Sequence, residues 1–176
     1  MTQRYDLVIA GGGPSGSAAA WQAAQTGAKV VVLDKAQFPR DKPCGDGLTA
    51  RAVSYLQKMG LADEVATFHR VNRVTVFSPS QWELSFPKRP GMPDHGHTVS
   101  RTHLDTVLLK HAESHGAEVR QGAEVTGPEL DASGRVIGLV GREDKADSRG
   151  GKLSGGQQRR LDVGIGLVGD PGLLFL

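Results

Sequence analysis

Apolar residues first gather at Leu7, Val8, Ile9 and Ala10, and again at Val30, Val31, Val32 and Leu33. Short unbroken apolar runs are what strands of a parallel sheet need, because both of their faces are covered. Between the two lies a stretch of small residues, Ser17 to Ala20 and Ala23-Ala24, suited to a closely packed helix. The pattern predicts a strand over 5–10, a helix over 15–26 and a strand over 29–33, with Gly27 ending the helix in a left-handed cap. Residues 36–46 hold Pro39, Pro43 and Gly45 and read as a loop. From Thr49 to Met59 the spacing of Ala52, Val53, Leu56 and Met59 is helical, and Gly60 is a stop. Residues 71–77 and 82–86 read as short strands, and 87–97 as a Pro-, Gly- and His-rich loop.

A helix is predicted over 101–114, with Ser100 as N-cap, Leu104, Val107, Leu108 and Ala112 on one face, and Gly116 as terminator. Strands follow at 117–119, 123–125 and 135–140, the last two joined by a turn at 131–134. Residues 142–152 are polar and lack apolar periodicity, so they read as a surface linker. Beyond them a helix is expected carrying Leu161, Ile165 and Val168, then a Gly-Asp-Pro-Gly turn at 169–172 and an apolar strand at 173–176.

Composition narrows the class. The chain has 176 residues, room for one domain, with 38% hydrophobic and 23% charged residues, as in a soluble globular protein. A net charge of +2 and the lack of a basic tail give no reason to expect nucleic acid. Cys44 is the sole cysteine, so neither an intrachain disulfide nor a cysteine zinc site can form, which fits a reducing compartment. The chain enters a strand almost at once and has no apolar run near the ~20 residues of a membrane span. A cytoplasmic protein with at most peripheral membrane contact is expected.

The chemistry centres on Gly11-Gly12-Gly13-Pro14-Ser15-Gly16, placed between the first strand and the first helix. In this G-x-G-x-x-G, Gly11 permits the turn, Gly13 admits the backbone close to a pyrophosphate, and Gly16 lets the helix pack against the strand. Asp34, at the end of the second strand, stands where such folds place an acid for the ribose hydroxyls. A glycine loop closing an ordinary βαβ unit would show the same turn. Strand, helix, second strand and terminal acid in register favour the dinucleotide reading.

Further residues make the pattern more specific: Asp6-Leu7-Val8-Ile9-Ala10 before the turn, Phe38-Pro39-Arg40, Lys42-Pro43-Cys44-Gly45-Asp46-Gly47, Val99-Ser100-Arg101 with Leu104-Asp105, and Gly116-Ala117-Glu118-Val119 followed by Val125. On these residues, 1–141 resembles the geranylgeranyl reductase family of FAD-dependent oxidoreductases. The resemblance implies an α/β, Rossmann-like FAD-binding domain of the p-hydroxybenzoate hydroxylase type, truncated, with the start of a β-rich substrate layer near 71–99. It implies FAD rather than NAD, held at its pyrophosphate by Gly11, Gly13, Ser15 and Gly16 and at its adenosine ribose by Asp34. Cys44, Gly45 and Gly47 would line the flavin side, Arg101 would contact the cofactor, and Val125 would offer backbone groups to adenine. Asp34 stands where that family commonly has glutamate. The implied reaction is reduction of carbon–carbon double bonds in an isoprenoid chain, on a lipid or quinone substrate, with NAD(P)H or another donor supplying the reductant. A flavin monooxygenase or halogenase of the same fold is one alternative; the other, resting on residues 152–176, is a remnant of a transporter ATP-binding subunit. No catalytic residue is assigned.

Residues 152–176 resemble a different family, the ABC transporter ATPases, through Leu153-Ser154-Gly155-Gly156-Gln157. In that family Ser154, Gly155, Gly156 and Gln157 would form the nucleotide signature loop, and 173–176 the start of the Walker B strand. The chain contains no G-x-x-x-x-G-K-[ST], so this fragment is not expected to handle ATP alone. The expected organisation is therefore an incomplete FAD-binding domain over 1–141, a junction over 142–152 and an ATPase-like fragment over 153–176. Such a chain is expected to lack turnover by itself. No metal site is expected: His95, His97 and His103, and His111 with His115, read as solvated histidines.

Overall fold

A computed structural model describes residues 4–44, 46–73, 89–143 and 163–165. The chain divides into two compact units, Met1–Arg40 with Leu104–Leu176, and Asp41–His103.

The first unit opens with β1 (Arg4–Tyr5) and β2 (Leu7–Ala10), a strand that the sequence pattern joins but that breaks at Asp6. Asp6 Oδ2 instead accepts the Lys29 N–H at 2.8 Å. Helix α1 (Pro14–Ala24) leads to β3 (Val30–Asp34), and Gly27 between them adopts a left-handed φ of 81°. In the second unit come β4 (Gly47–Leu48), α2 (Ala50–Lys58), α3 (Ala62–Ala66), β5 (His69–Val71) and β6 (Gly96–Thr98). Helix α4 (Arg101–Ser114) follows, then β7 (Glu118–Gln121), β8 (Ala123–Leu130), β9 (Val136–Glu143) and β10 (Val163–Ile165).

Strands β2, β3 and β7 form a parallel sheet with β3 central. Every residue of β3 is buried, and successive side chains go to opposite layers. Val30 and Val32 pack with Ile9, Ala20, Leu109, Ala112 and Ala117, the layer made by α1 and α4. Val31 and Leu33 pack with Tyr5, Val8, Ala123 and Leu139, under the β8–β9 hairpin. Each such aliphatic side chain contributes about 1.5–3 kcal/mol of burial, so this strand is the spine of the unit. The α/β, Rossmann-like class is therefore the observed one, and the parallel order sets the glycine turn at the C-terminal end of β2.

The hairpin exceeds its expected length. Strand β9 runs through Arg142 and Glu143, which the polar pattern assigns to a linker. Arg142 bonds Glu124 across the hairpin at 3.1 Å, and an antiparallel ladder with a solvated face needs no apolar residue there. A bulge at Thr126 shifts the register between Val125, opposite Gly141, and Gly127, opposite Val140. At the turn, Asp131 Oδ1 accepts the Ser133 and Arg135 N–H groups, while Gly134 has φ 83°.

The expected helix around Leu161, Ile165 and Val168 is not formed at residues 163–165. They make strand β10, antiparallel to β9 and parallel to β1, so tertiary pairing overrides the apparent helical spacing. Of the strand expected over 71–77, Val71 ends β5 and residues 72–73 are not strand; its remainder, the strand expected over 82–86, most of the junction, and the apolar strand at 173–176 lie outside the described residues.

In the Asp41–His103 unit, β4, β6 and β5 form an antiparallel sheet. Here Gly96 and His97 of β6 fall at the end of the span expected to be a loop, and α3 has no counterpart among the elements predicted from the sequence. Helix α2 matches its prediction: Thr49 Oγ1 caps the Ala52 N–H at 3.3 Å, and Val53, Leu56 and Met59 are buried. Among the described residues no helix is long and apolar enough to cross a membrane.

Candidate functional site

The glycine turn closes onto Asp34. Gly11 N–H donates to the Leu33 carbonyl at 2.7 Å, and Gly12 N–H donates to Asp34 Oδ2 at 2.7 Å. Asp34 Oδ1 accepts the Ala36 N–H at 2.8 Å. An ionised carboxylate has about four lone-pair sites, so a side chain accepting two N–H groups keeps capacity for ribose hydroxyls. Gly11 sits at φ 103°, where a Cβ would be strained. A Cβ at Gly16 would lie 2.0 Å from the Gly11 carbonyl oxygen and 3.1 Å from Ile9 Cγ2. The close helix-to-strand approach read from the sequence is thus enforced by backbone against backbone.

The N-terminus of α1 is open to an anion. Gly13, its N-cap, offers no side-chain cap, Pro14 occupies the first turn, and that turn carries no acid. Backbone N–H groups at such an end, together with the helix dipole, attract phosphate oxygens. Ser15 is exposed at this end. Ser17, expected only as a small residue of the packed helix, is fully buried, and its Oγ donates to the Gly12 carbonyl at 3.0 Å, pinning the turn from behind.

Two further residues were not assigned a role from sequence. Arg40 places NH2 3.3 Å from Asp105 Oδ2 and Nε 3.9 Å from Asp34 Oδ2, with its guanidinium 4.9 Å from the Phe38 ring centroid. Asp105, on α4, has no exposed side-chain surface, whereas Arg40 keeps 15%. The buried carboxylate therefore holds a partly exposed cation beside the acid of the glycine turn. Only the pairing of Asp105 with an apolar helix face hints at this in the sequence. Val125 lies in β8, an edge strand pairing with β9 alone among the described residues, and packs against the layer that holds Val8 and Leu33.

The remaining predicted residues belong to the Asp41–His103 unit. Cys44 is exposed, and Gly47 pairs with Thr98 in the β4–β6 ladder. Gly45 lies outside the described residues, as do Ser154, Gly155, Gly156 and Gln157. Asp46 organises this loop. It has φ 48°, its Oδ1 accepts the Arg101 N–H at 3.2 Å, and its carbonyl accepts the Val99 N–H at 3.0 Å. A carboxylate at the start of α4 is favoured by the helix dipole, and Ser100 Oγ accepts the His103 N–H there at 3.3 Å. A non-glycine residue held at positive φ marks a locally strained segment.

The histidines do not gather as one cluster. His103 pairs with Glu64 at 2.8 Å, while His95 packs edge-on to His97 at 5.1 Å and contacts Asp94 at 3.1 Å. Burial, then the neighbouring His95, Arg70 and His69, hold the His97 imidazole below its ordinary value of 6.5. Among the described residues no group of three metal-ligating side chains is found.

Residues 4–149 match the family described as FAD binding domain. The chain is 45% identical over 137 residues to menaquinone reductase of Mycobacterium tuberculosis, covering 77% of this chain and 33% of that protein. It is 32% identical over 136 residues to digeranylgeranylglycerophospholipid reductase 2 of Methanopyrus kandleri, covering 77% of this chain and 32% of that one. Among solved structures it resembles the flavin-dependent brominase Bmp2, with a TM-score of 0.71 and 30% identity over 81% of this chain and 35% of the other. The chain thus spans about a third of the length of the curated relatives it matches.

Proposed function

Because this chain belongs to the FAD binding domain family of FAD-dependent oxidoreductases, we propose that it forms the cofactor-binding part of a reductase acting on carbon–carbon double bonds of an isoprenoid chain, carried by a quinone or a lipid. The observation that carries the cofactor assignment is the uncapped α1 N-terminus beside a carboxylate-anchored glycine turn too tight for any side chain at position 16. The substrate class draws on the two reductases to which the chain is 45% and 32% identical.

In this reading the backbone N–H groups of Gly13, Ser15 and Gly16 take the pyrophosphate, with Gly11 shaping the turn. Asp34 accepts from the adenosine ribose, and Arg40, held by Asp105, offsets the negative charge gathered there. Val125 offers backbone groups to adenine from an edge strand. Cys44, Gly45, Gly47 and Arg101 line the flavin side, and Asp46 fixes the loop that carries them. Bound FAD supplies hydride transfer, with NAD(P)H or another donor as reductant; the protein's part is to bind, orient and exclude water.

Because these residues span about a third of their relatives, the test is to load the full gene product that carries them with FAD, reduce it, and offer menaquinone and a geranylgeranylated lipid, reading products by mass. A gain of two hydrogens per double bond, with the head group intact, supports the reading. A gain of oxygen or halogen transfers the assignment to the monooxygenase or halogenase branch, which the likeness to the brominase keeps as the second reading.

A further inference from the structure

The last turn of α4 brings two imidazoles together. His111 and His115 lie one turn apart with ring centroids 4.4 Å from each other. Trp21, on α1, stacks on His111 at 6.0 Å and meets His115 edge-on at 6.2 Å. The indole thus walls one side of the pair, while His115 is exposed to solvent.

The hydrogen bonding fixes the tautomer of one ring. His115 Nδ1 lies 2.8 Å from the His111 carbonyl oxygen, an atom that only accepts, so Nδ1 carries the proton and Nε2 keeps its lone pair. Ser114 Oγ donates to the same carbonyl at 2.9 Å. A histidine whose one nitrogen is bound to a backbone carbonyl is oriented for metal ligation through the other. Position adds to this, because the C-terminal turn of a helix carries partial negative charge and stabilises a cation. Glu113, two residues from each histidine, is on a different arc of the helix from the pair.

We propose that His111 and His115 form a binding site for a late first-row divalent cation. Imidazole pairs favour Cu(II), with Ni(II) and Zn(II) weaker, following the general affinity order of these ions. The two imidazoles are the protein ligands and water fills the other positions, which makes the site open and exchangeable. The proposal is independent of the flavin reading and rests on residues that reading does not use.

The test titrates the chain with copper(II) chloride and follows Trp21 fluorescence, with Trp82, the other tryptophan, replaced (Trp82→Phe). Saturable quenching at one ion per chain is expected. His115→Gln or His111→Gln should weaken it by at least the ~10-fold that even an outer-shell loss causes. His115→Gln changes an exposed side chain, so it serves if His111→Gln fails to fold. Imidazole proton signals of both residues should broaden together on adding copper. Quenching retained at full affinity in His115→Gln overturns the proposal, as does the absence of saturable quenching or broadening confined to other histidines.

Discussion

Replacing Gly16 by alanine isolates the feature on which the cofactor site depends. The added Cβ would sit 2.0 Å from the Gly11 carbonyl oxygen, an atom held by a turn at φ 103°, and 3.1 Å from Ile9 Cγ2. To reach an ordinary contact of 3.4 Å the helix must withdraw from the turn by about 1.4 Å, and dense packing on its other side resists this. Two effects compete. Alanine is the better helix former by about 1 kcal/mol. Overpacking costs about 1–3 kcal/mol, and the upper end applies because the obstacle is backbone rather than a flexible side chain. A net loss of about 2 kcal/mol should lower the melting temperature by about 4–8 °C. The withdrawn N–H groups should also weaken FAD by about 1.4 kcal/mol or more, a tenfold rise in Kd. Gly134→Ala is the control: Gly134 is at a positive φ of 83°, unlike the helical Gly16, and has nothing within 4 Å of its Cβ. It should cost about 1–2 kcal/mol of stability and leave FAD affinity unchanged. A Gly16→Ala variant that binds FAD as the wild type does and melts no lower than Gly134→Ala would show that the close helix-to-turn approach does not shape the site.

Other outcomes follow from the same structure. Arg40→Met leaves Asp105 without a cation it touches at 3.3 Å and should cost about 2–3 kcal/mol in urea unfolding, discounted because Arg40 is partly exposed; Arg40→Met with Asp105→Leu should recover part of it. Tyr5→Phe removes a hydroxyl bonded to both Glu118 and Arg120 and should cost about 1–2 kcal/mol by the same measurement. Protonation of His97 is disfavoured in the fold, so its neutral form contributes stability that is present above pH 6.5 and declines as pH falls below it; urea melts at pH 7.5 and about 5.5 should differ less for His97→Asn than for the wild type.

Legibility in the sequence tracked how local the cause was. Helix α4 was readable to its ends because Ser100, the apolar spacing and Gly116 all act within a turn or two. The glycine turn and Asp34 were readable because their spacing is fixed by one βαβ unit. Asp105 was not, since its partner Arg40 is far away in the chain and a lone acid on an apolar helix face states no pairing. Residues 163–165 were misread because three apolar positions at helical spacing also suit a strand, and pairing with β1 and β9 decided between them. Arg142 and Glu143 looked like linker because a solvated hairpin face carries charge as readily as a loop does. Helix α3 spans too few residues to show a period. The bond from Gly12 to Asp34, and the buried Ser17 behind it, needed the fold: no pattern of residue types shows which N–H meets which oxygen.

The most direct measurement is equilibrium binding of FAD to the purified chain, with NAD and ATP titrated in parallel. One FAD per chain with a perturbed flavin absorption spectrum is expected, weakened by Gly16→Ala and not by Gly134→Ala. Retention of no flavin, or a preference for NAD or ATP over FAD, would contradict this expectation.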